Sequence, residues 1–147
     1  MKYKILSLQQ PWATLLCLFK DVENRTWKLP EKYIDETVLI HASAKWAKGS
    51  DDLEQFFSMQ QLTAVRRLGI ILNPNTMPTS AIVGSVVFVG CETNNPSIWA
   101  EKDKFIYNWI REQPILFKSP ILNVKGKLGF WDYEIENLSS ANALYSI

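Results

Sequence analysis

The stretch from Ser7 to Trp27 constrains the fold most, because its apolar residues change from a helical to a strand period within one short segment. Four apolar residues recur at the spacing of one helical face and predict a helix over residues 11–19: Trp12, Leu15, Leu16 and Phe19. From Val22 the side chains alternate, which predicts a strand to Trp27. Glu23, Arg25 and Trp27 then share one strand face, and Lys20 lies where the helix ends. Two cations, a carboxylate and an indole ring in one place are more typical of a site than of a core.

The size and composition of the chain are those of a globular domain. Hydrophobic residues make up 47% and charged residues 21% of 147 residues, enough to bury a core, and we expect a single domain over residues 1–147. The apolar runs are far too short to span a membrane, and the first residues lack the apolar region of a secretion signal. These features predict a cytoplasmic protein.

Cysteine and histidine are scarce in this chain. Cys17 and Cys91 are too few for a disulfide framework and lie in apolar segments, so we expect free, buried thiols. His41 is the single histidine, and together with two cysteines it cannot complete a Cys-based zinc site. We therefore expect neither a metal nor a cofactor.

The charge of the chain is close to balanced but unevenly distributed. A net charge of +1 is low for a protein that holds duplex DNA by broad electrostatics. Residues 102–127 nevertheless hold two carboxylates, Asp103 and Glu112, and six cations, which are Lys102, Lys104, Arg111, Lys118, Lys125 and Lys127. This segment is either a solvated face, which is the commoner case, or one wall of an anion-binding groove.

Strand patterns recur along the chain. Five alternating or β-branched segments predict strands: 3–8, 38–43, 81–90, 105–111 and 130–135. Gly84 predicts a bend or bulge inside the third of these segments. Pro114 and Pro120 are expected to break the chain after the fourth. The strands are therefore short and punctuated.

Ser50–Arg67 is the second predicted helix. Ser50 or Asp51 can cap its N-terminus, and Gly69 is a plausible stop. Two helices interleaved with strands, without βαβ repetition, predict the α+β class. Short, bent, glycine-marked strands favour a small mixed β-barrel, closed or half-closed, of about five to seven strands with two main helices.

Four blocks in this order resemble the ASCH domain family: LSLQQPWATLL with the charged residues that follow it, VLIHASAKW, AIVGSVVFVGC and PILNVKGKLGFW. Lys20, Glu23 and Arg25 match the charged positions of the family signature G-x-K-x-x-E-x-R, and Leu18 stands in place of its glycine. The resemblance covers residues 5–135. It implies a PUA-like β-barrel with a cleft near the signature, and PUA-like domains generally read RNA.

Ten side chains are candidate ligand-binding residues, drawn from the signature and from the HASAKW block: Gln10, Lys20, Glu23, Asn24, Arg25, Trp27, His41, Ser43, Lys45 and Trp46. The planar fork of Arg25 suits a phosphate or a base edge, and Lys20 acts as a point charge. Trp27 and Trp46 are candidate stacking platforms. Structural roles are the alternative for each of these groups. Lys20, Glu23 and Arg25 would form ion pairs that hold the helix against the strand, most of the tryptophans would lie in the core, and His41 would be a hydrogen-bonded structural residue.

The first function that these residues predict is binding of RNA, or of a nucleotide or modified nucleoside, in a barrel cleft around Lys20, Glu23 and Arg25. Single-stranded RNA is favoured over a duplex, because its bases are free to stack. We expect no membrane and no obligate protein partner. A scaffold or protein-interaction domain is a blander possibility.

Hydrolysis is the second predicted function. Some ASCH-like proteins look like amidohydrolases of acylated cytidine, and others have been proposed as ribonucleases. The amidohydrolase type carries Lys-x-x-Thr, where this chain has Glu23, so Lys20 and Glu23 are the candidate catalytic acid–base pair. Neither a Ser-His-Asp arrangement nor a phosphate-binding glycine loop is evident in the sequence.

Overall fold

The computed structural model describes residues 1–67, 69, 72–73, 77–135 and 145–146. Its helices and strands follow in the order β1 (Lys2–Gln10), α1 (Trp12–Leu16), β2 (Val22–Arg25), β3 (Thr37–Trp46), α2 (Leu53–Phe56), α3 (Met59–Arg67), β4 (Ala81–Glu92), β5 (Tyr107–Ile121), β6 (Phe130–Glu134) and β7 (Tyr145–Ser146). A 3-10 turn at Glu31–Tyr33 lies between β2 and β3. None of the described helices is long and apolar enough to cross a membrane.

Six strands form one mixed sheet in the order β2-β5-β4-β3-β1-β6, and β7 pairs with β5. β1 and β3 are parallel, and the other neighbours are antiparallel. This mixed sheet with a few short helices confirms the α+β class. The predicted barrel is left open, however, because no backbone pairing joins β2 to β6 among the described residues. The pairing of β6 with β1 stops at Leu6, and β2 is only four residues long.

Both faces of the central strands are buried. Val38, Ile40 and Ala42 on one face of β3 belong to a core cluster that includes Trp109. Leu39 on the opposite face belongs to a second cluster. The predicted division of β3 into two faces is confirmed, and burial on both faces explains the uninterrupted apolar run of residues 38–40.

The predicted helix Ser50–Arg67 is broken into α2 and α3. Phe57 has extended backbone angles (φ −97°, ψ 150°), which let its ring enter a core cluster at 4% exposure. Ser58 Oγ then accepts a hydrogen bond from the amide of Gln61 (3.1 Å), and Gln61 Oε1 accepts one from the amide of Ser58 (3.1 Å). This reciprocal pair is a capping box, so a new helix begins here. The predicted cap at Ser50 or Asp51 is wrong, since α2 begins after Asp52.

Pro114 and Pro120 do not end β5. The pairing of β5 with β4 is irregular between Glu112 and Ile115 of β5, and again between Leu116 and Ile121. Each proline lies in one of these irregular stretches, where the missing N–H costs no regular ladder bond. The expected break is therefore a pair of bulges within one long strand.

Helix α1 is shorter than predicted and sits directly on β4. It ends at Leu16, and the amide of Lys20 bonds to the carbonyl of Leu15 (2.9 Å) in the turn that follows. A Cβ atom on Gly84 would lie 2.2 Å from the Ile115 carbonyl oxygen and 2.6 Å from Cys17 Sγ. The end of α1 thus approaches β4 where β4 has no side chain.

Candidate functional site

The open edge of β1 borders a hollow lined by residues of the predicted site. Beyond Leu6, β1 has no strand partner on the side of β6 within the described ranges, and the Ser7 carbonyl accepts a hydrogen bond from Arg25 Nη2 instead (3.0 Å). A side chain on β2 therefore bridges the gap that backbone pairing leaves open. A cavity of about 590 Å³ lies beside this bridge, and we call it the aromatic cleft; its walls include Lys20, Arg25, Trp12, Trp27, Phe56 and Trp99.

Lys20, Glu23 and Arg25 come together on the floor of the aromatic cleft. Glu23 Oε2 accepts a hydrogen bond from Arg25 Nε at 2.8 Å, and Glu23 Oε1 accepts one from Lys20 Nζ at 3.3 Å. Lys20 Nζ also donates to the carbonyl of Val22 (2.5 Å) and lies 5.3 Å from the centre of the Trp12 ring. One carboxylate thus accepts hydrogen bonds from two basic side chains.

The three members of the trio differ in exposure. The side chains of Lys20 and Glu23 are 3% and 9% exposed, whereas that of Arg25 is 22% exposed. Burial lowers the pKa of Lys20 below its usual value, and the neighbouring Glu23 opposes that shift. Arg25 is therefore the cation of the trio that a ligand can reach most readily.

Aromatic rings form the upper walls of the cleft. Trp12 stacks on Phe56, with ring centres 4.9 Å apart, and meets Trp99 edge to face at 6.3 Å. Trp27 is 36% exposed and meets Trp109 edge to face at 4.7 Å. Trp12 belongs to the apolar face predicted for the first helix, and its ring both packs on the core and lines the cleft.

Asn24 builds the cleft wall through the loop after β4. Its Nδ2 donates to the carbonyl of Trp99 (2.9 Å), and its Oδ1 accepts from the amide of Glu101 (3.0 Å) and from Asn108 Nδ2 (2.8 Å). These bonds use both ends of the Asn24 amide. The side chain lines the cleft, and its hydrogen bonds hold Trp99 and Glu101 in place there.

Gln10, Lys45 and Trp46 lie away from the aromatic cleft. Gln10 is fully buried; its amide donates to Thr14 Oγ1 (2.8 Å) and the Pro78 carbonyl (2.9 Å). Lys45 is exposed, and Trp46 packs against the cluster around α2 and α3. The structure therefore brings together Lys20, Glu23, Asn24, Arg25, Trp27 and Ser43 of the ten candidates.

His41 lies behind the cleft and bonds to Ser7. Its Nε2 is 2.6 Å from the Val124 carbonyl, and its Nδ1 is 2.8 Å from Ser7 Oγ. Since a carbonyl only accepts, Nε2 carries the proton, and in the neutral ring Nδ1 accepts from the Ser7 hydroxyl. Burial lowers the pKa of His41, which favours this neutral form. These contacts are those of a hydrogen-bonded structural residue, which was one of the two interpretations of His41.

Several cleft residues escaped the sequence analysis. Ser7, Phe56, Trp99 and Glu101 come from elements far apart in the chain. A signal existed only for Ser7, because it precedes the PW block at the end of a predicted strand. Within the described residues, no three His, Cys, Asp or Glu side chains gather as a metal site would require.

Comparison with known proteins supports the fold. The chain is similar to the crystal structure of ASCH from Zymomonas mobilis, with a TM-score of 0.56 and 12% identity over 98% of this chain and 96% of that chain. It also matches a serine-to-alanine mutant of the Zymomonas mobilis protein, with a TM-score of 0.46 and 11% identity over 82% and 74% of the two chains. No family model and no curated protein matches this sequence. The ASCH-type fold implied by the resemblance is confirmed.

Proposed function

We propose that the aromatic cleft binds single-stranded RNA or a nucleotide, with a base against its tryptophans and a polar edge or phosphate on Arg25. The observation that carries this proposal is the combination of exposed indole surface and a partly exposed guanidinium in one cavity. The volume of about 590 Å³ falls within the range of small-molecule sites. The proposal implies a cytoplasmic location, where such ligands are available.

Trp27 supplies the most exposed aromatic surface of the cleft. Stacking of a base on an aromatic side chain contributes about 1–3 kcal/mol and tolerates any sequence, because every base has a π-face. Such stacking does not need a strongly basic protein, which agrees with the net charge of +1. A ligand with unstacked bases is therefore a better fit than a duplex.

Arg25 supplies directional donors beside this surface. Its Nε donates to Glu23 and its Nη2 to the Ser7 carbonyl, so two of its five N–H groups are used within the described residues. The remaining donors keep the fork geometry that suits phosphate oxygens or a base edge. The anchored guanidinium also loses little freedom when a ligand binds.

A Trp27→Ala variant tests the proposal. Because base stacking is lost, we expect the affinity for a fluorescently labelled single-stranded RNA to fall about 5- to 150-fold, which corresponds to 1–3 kcal/mol. Fluorescence anisotropy at two salt concentrations measures it. Phe105→Ala is the matched control, since Phe105 is 69% exposed and does not line the cleft. If the wild type fails to bind at micromolar concentration in low salt, the proposal is wrong.

Hydrolysis of a modified nucleoside or RNA is a second candidate, favoured by the position of Lys20 in the cleft with its pKa lowered by burial. A Lys that gives up its proton more easily suits acid–base chemistry with Glu23. Its Nζ donates to Val22 and Glu23, however, so the lone pair of a neutral amine would have to turn toward the substrate. Binding without turnover therefore ranks first.

Incubation with acetylcytidine and with RNA separates the two candidates. If Lys20 acts in hydrolysis, Lys20→Ala abolishes turnover of the substrate that the wild type converts. Turnover that survives this substitution would show that Lys20 is not the acid–base group, and a circular dichroism spectrum of the variant checks that it is folded.

A further inference from the structure

A second hollow of about 480 Å³ continues the aromatic cleft on the other side of Arg25. We call it the basic hollow; it is lined by Ser7, Arg25, His41, Ser43 and the loop Lys125–Gly129. Ser7, Arg25 and Ser43 also line the aromatic cleft. The two cavities therefore meet at the bridge between β2 and β1, and a ligand that fills one can extend into the other.

Cations without acidic partners dominate the basic hollow. Lys125 and Lys127 are exposed, and no Asp or Glu appears among the described residues that line it. None of the ion pairs found in the described part of the chain uses either lysine. Together with Arg25 they give the hollow a positive potential that favours an anion.

The other cations of residues 102–127 serve different purposes. Lys102 Nζ donates to the carbonyls of Asn95 (2.7 Å) and Ser97 (3.0 Å). Arg111 is buried and donates to the carbonyl of Lys20 (3.1 Å). Lys118 lines a separate cavity. The basic segment is thus not one anion-binding wall, and only its last two lysines face the cleft region.

The loop that carries Lys125 and Lys127 is held by contacts of Val124 and Gly126 with the sheet. The Val124 carbonyl bonds to His41 Nε2, and the Val124 amide donates to the Ser80 carbonyl (2.9 Å). Gly126 lies against the Ser7–His41 pair: a Cβ atom there would come 2.8 Å from His41 Cε1 and 3.0 Å from Ser7 Oγ. Because only glycine fits this contact without a shift, the backbone of the loop packs on the Ser7–His41 pair at Gly126, and Lys125 and Lys127 flank this contact in the chain.

We propose that the basic hollow is a phosphate subsite, which takes a phosphate of the nucleotide or RNA strand whose base lies in the aromatic cleft. This assignment rests on the proposed function and deepens it. Arg25 contacts the phosphate from the partition between the cavities, and Lys125 and Lys127 neutralise it from the loop. The hydroxyl of Ser43 is a further donor at the same partition.

Inorganic pyrophosphate tests the subsite without a base. In the ¹⁵N-labelled protein, the amide resonances of Gly126 and Gly129 shift saturably on titration, and the double variant Lys125→Gln/Lys127→Gln loses this response. Lys104→Gln/Lys118→Gln is the matched control, because it removes the same charge from the same basic segment outside the hollow. Absence of a saturable shift in the wild type, or its persistence in Lys125→Gln/Lys127→Gln, overturns the subsite; a shift limited to high concentration and abolished equally by the control marks an adventitious ion only.

The salt dependence of single-stranded RNA binding tests whether the subsite and the aromatic cleft bind the same ligand. Each phosphate contact in single strands contributes about 0.7 to the slope of log affinity against log salt. Lys125→Gln/Lys127→Gln therefore lowers that slope by about 0.7 to 1.4, whereas Trp27→Ala lowers affinity and leaves the slope unchanged. An unchanged slope in the lysine variant contradicts the subsite alone, and an unchanged affinity in Trp27→Ala contradicts the aromatic cleft alone.

Discussion

Two groups of charged side chains tie early strands to the sheet, and they differ in burial more than in distance. Lys4 Nζ lies 2.6 Å from Asp132 Oδ1, yet the two side chains are 38% and 48% exposed. Lys20 Nζ and Glu23 Oε1 are 3.3 Å apart, with side chains 3% and 9% exposed. Water screens the first pair and not the second, so the longer contact has the larger consequences. Distance alone would rank them in the opposite order.

The largest expected effect comes from Glu23→Gln. This change leaves Lys20 buried without its anion, and breaking a buried pair in this way costs about 3–5 kcal/mol of the free energy of unfolding. Urea denaturation at neutral pH measures the loss. Glu54→Gln is the control, because Glu54 contacts Arg66 at 3.5 Å on the surface and both side chains are mostly exposed. A loss no larger than that of the control would contradict the role of burial.

The pH dependence of this variant sharpens the same comparison. The folded-state pKa of Lys20 lies below its unfolded value, so the unfolded chain binds more protons between the two pKa values, and stability rises with pH across that window. Glu23 raises the pKa of Lys20, so its removal lowers the folded-state pKa further and widens this pH window. The stability difference between wild type and Glu23→Gln therefore shrinks as pH approaches 10.5, the ordinary pKa of a lysine. A difference independent of pH would show that Lys20 is not the group involved.

Lys20→Met has a smaller expected effect. Glu23 keeps its hydrogen bond to Arg25 Nε at 2.8 Å, whereas Glu23→Gln removes the carboxylate that Lys20 contacts in the described part of the chain. The methionine side chain fills similar space, so we expect a loss of about 1.5–3 kcal/mol, in the range of a hydrogen bond to a charged group. Chemical denaturation measures it beside Glu23→Gln. An effect equal to or greater than that of Glu23→Gln would overturn the ranking.

Asp132→Asn has the smallest expected effect. The pair with Lys4 is solvent-exposed, and such pairs are weak and screened by salt. The denaturation midpoint should match the wild type at high salt. A clear destabilisation there would mean that the surface pair contributes as the buried trio does, which removes the contrast.

Local patterns predicted the parts of this molecule that depend on near neighbours in the chain. The alternation of Val38, Ile40 and Ala42 identified one of the two buried faces of β3, and the spacing of Lys20, Glu23 and Arg25 predicted that these three side chains lie together. Burial of the trio could not be read from that spacing. It depends on Trp12 and on the turn after α1, which only the folded chain defines.

Tertiary packing decided the features that the sequence analysis missed. Phe56 and Phe57 are adjacent; the Phe56 ring stacks on Trp12, and the Phe57 ring is buried in the core and meets Trp12 edge to face at 5.6 Å. The capping box of Ser58 and Gln61 was a readable sign of the new helix. The wall formed by Trp99 could not be predicted without knowing which distant segments meet.

The absence of a side chain at Gly84 allows the end of α1 to pack closely on β4. A single methyl group there would collide with Ile115 and Cys17, so the end of α1 would have to move outward. Lys20 would travel with it, because its amide is bonded to Leu15. Replacements along the rim would alter contacts one at a time, whereas this one added carbon, outside the cleft lining, would displace Lys20 on the floor of the cleft.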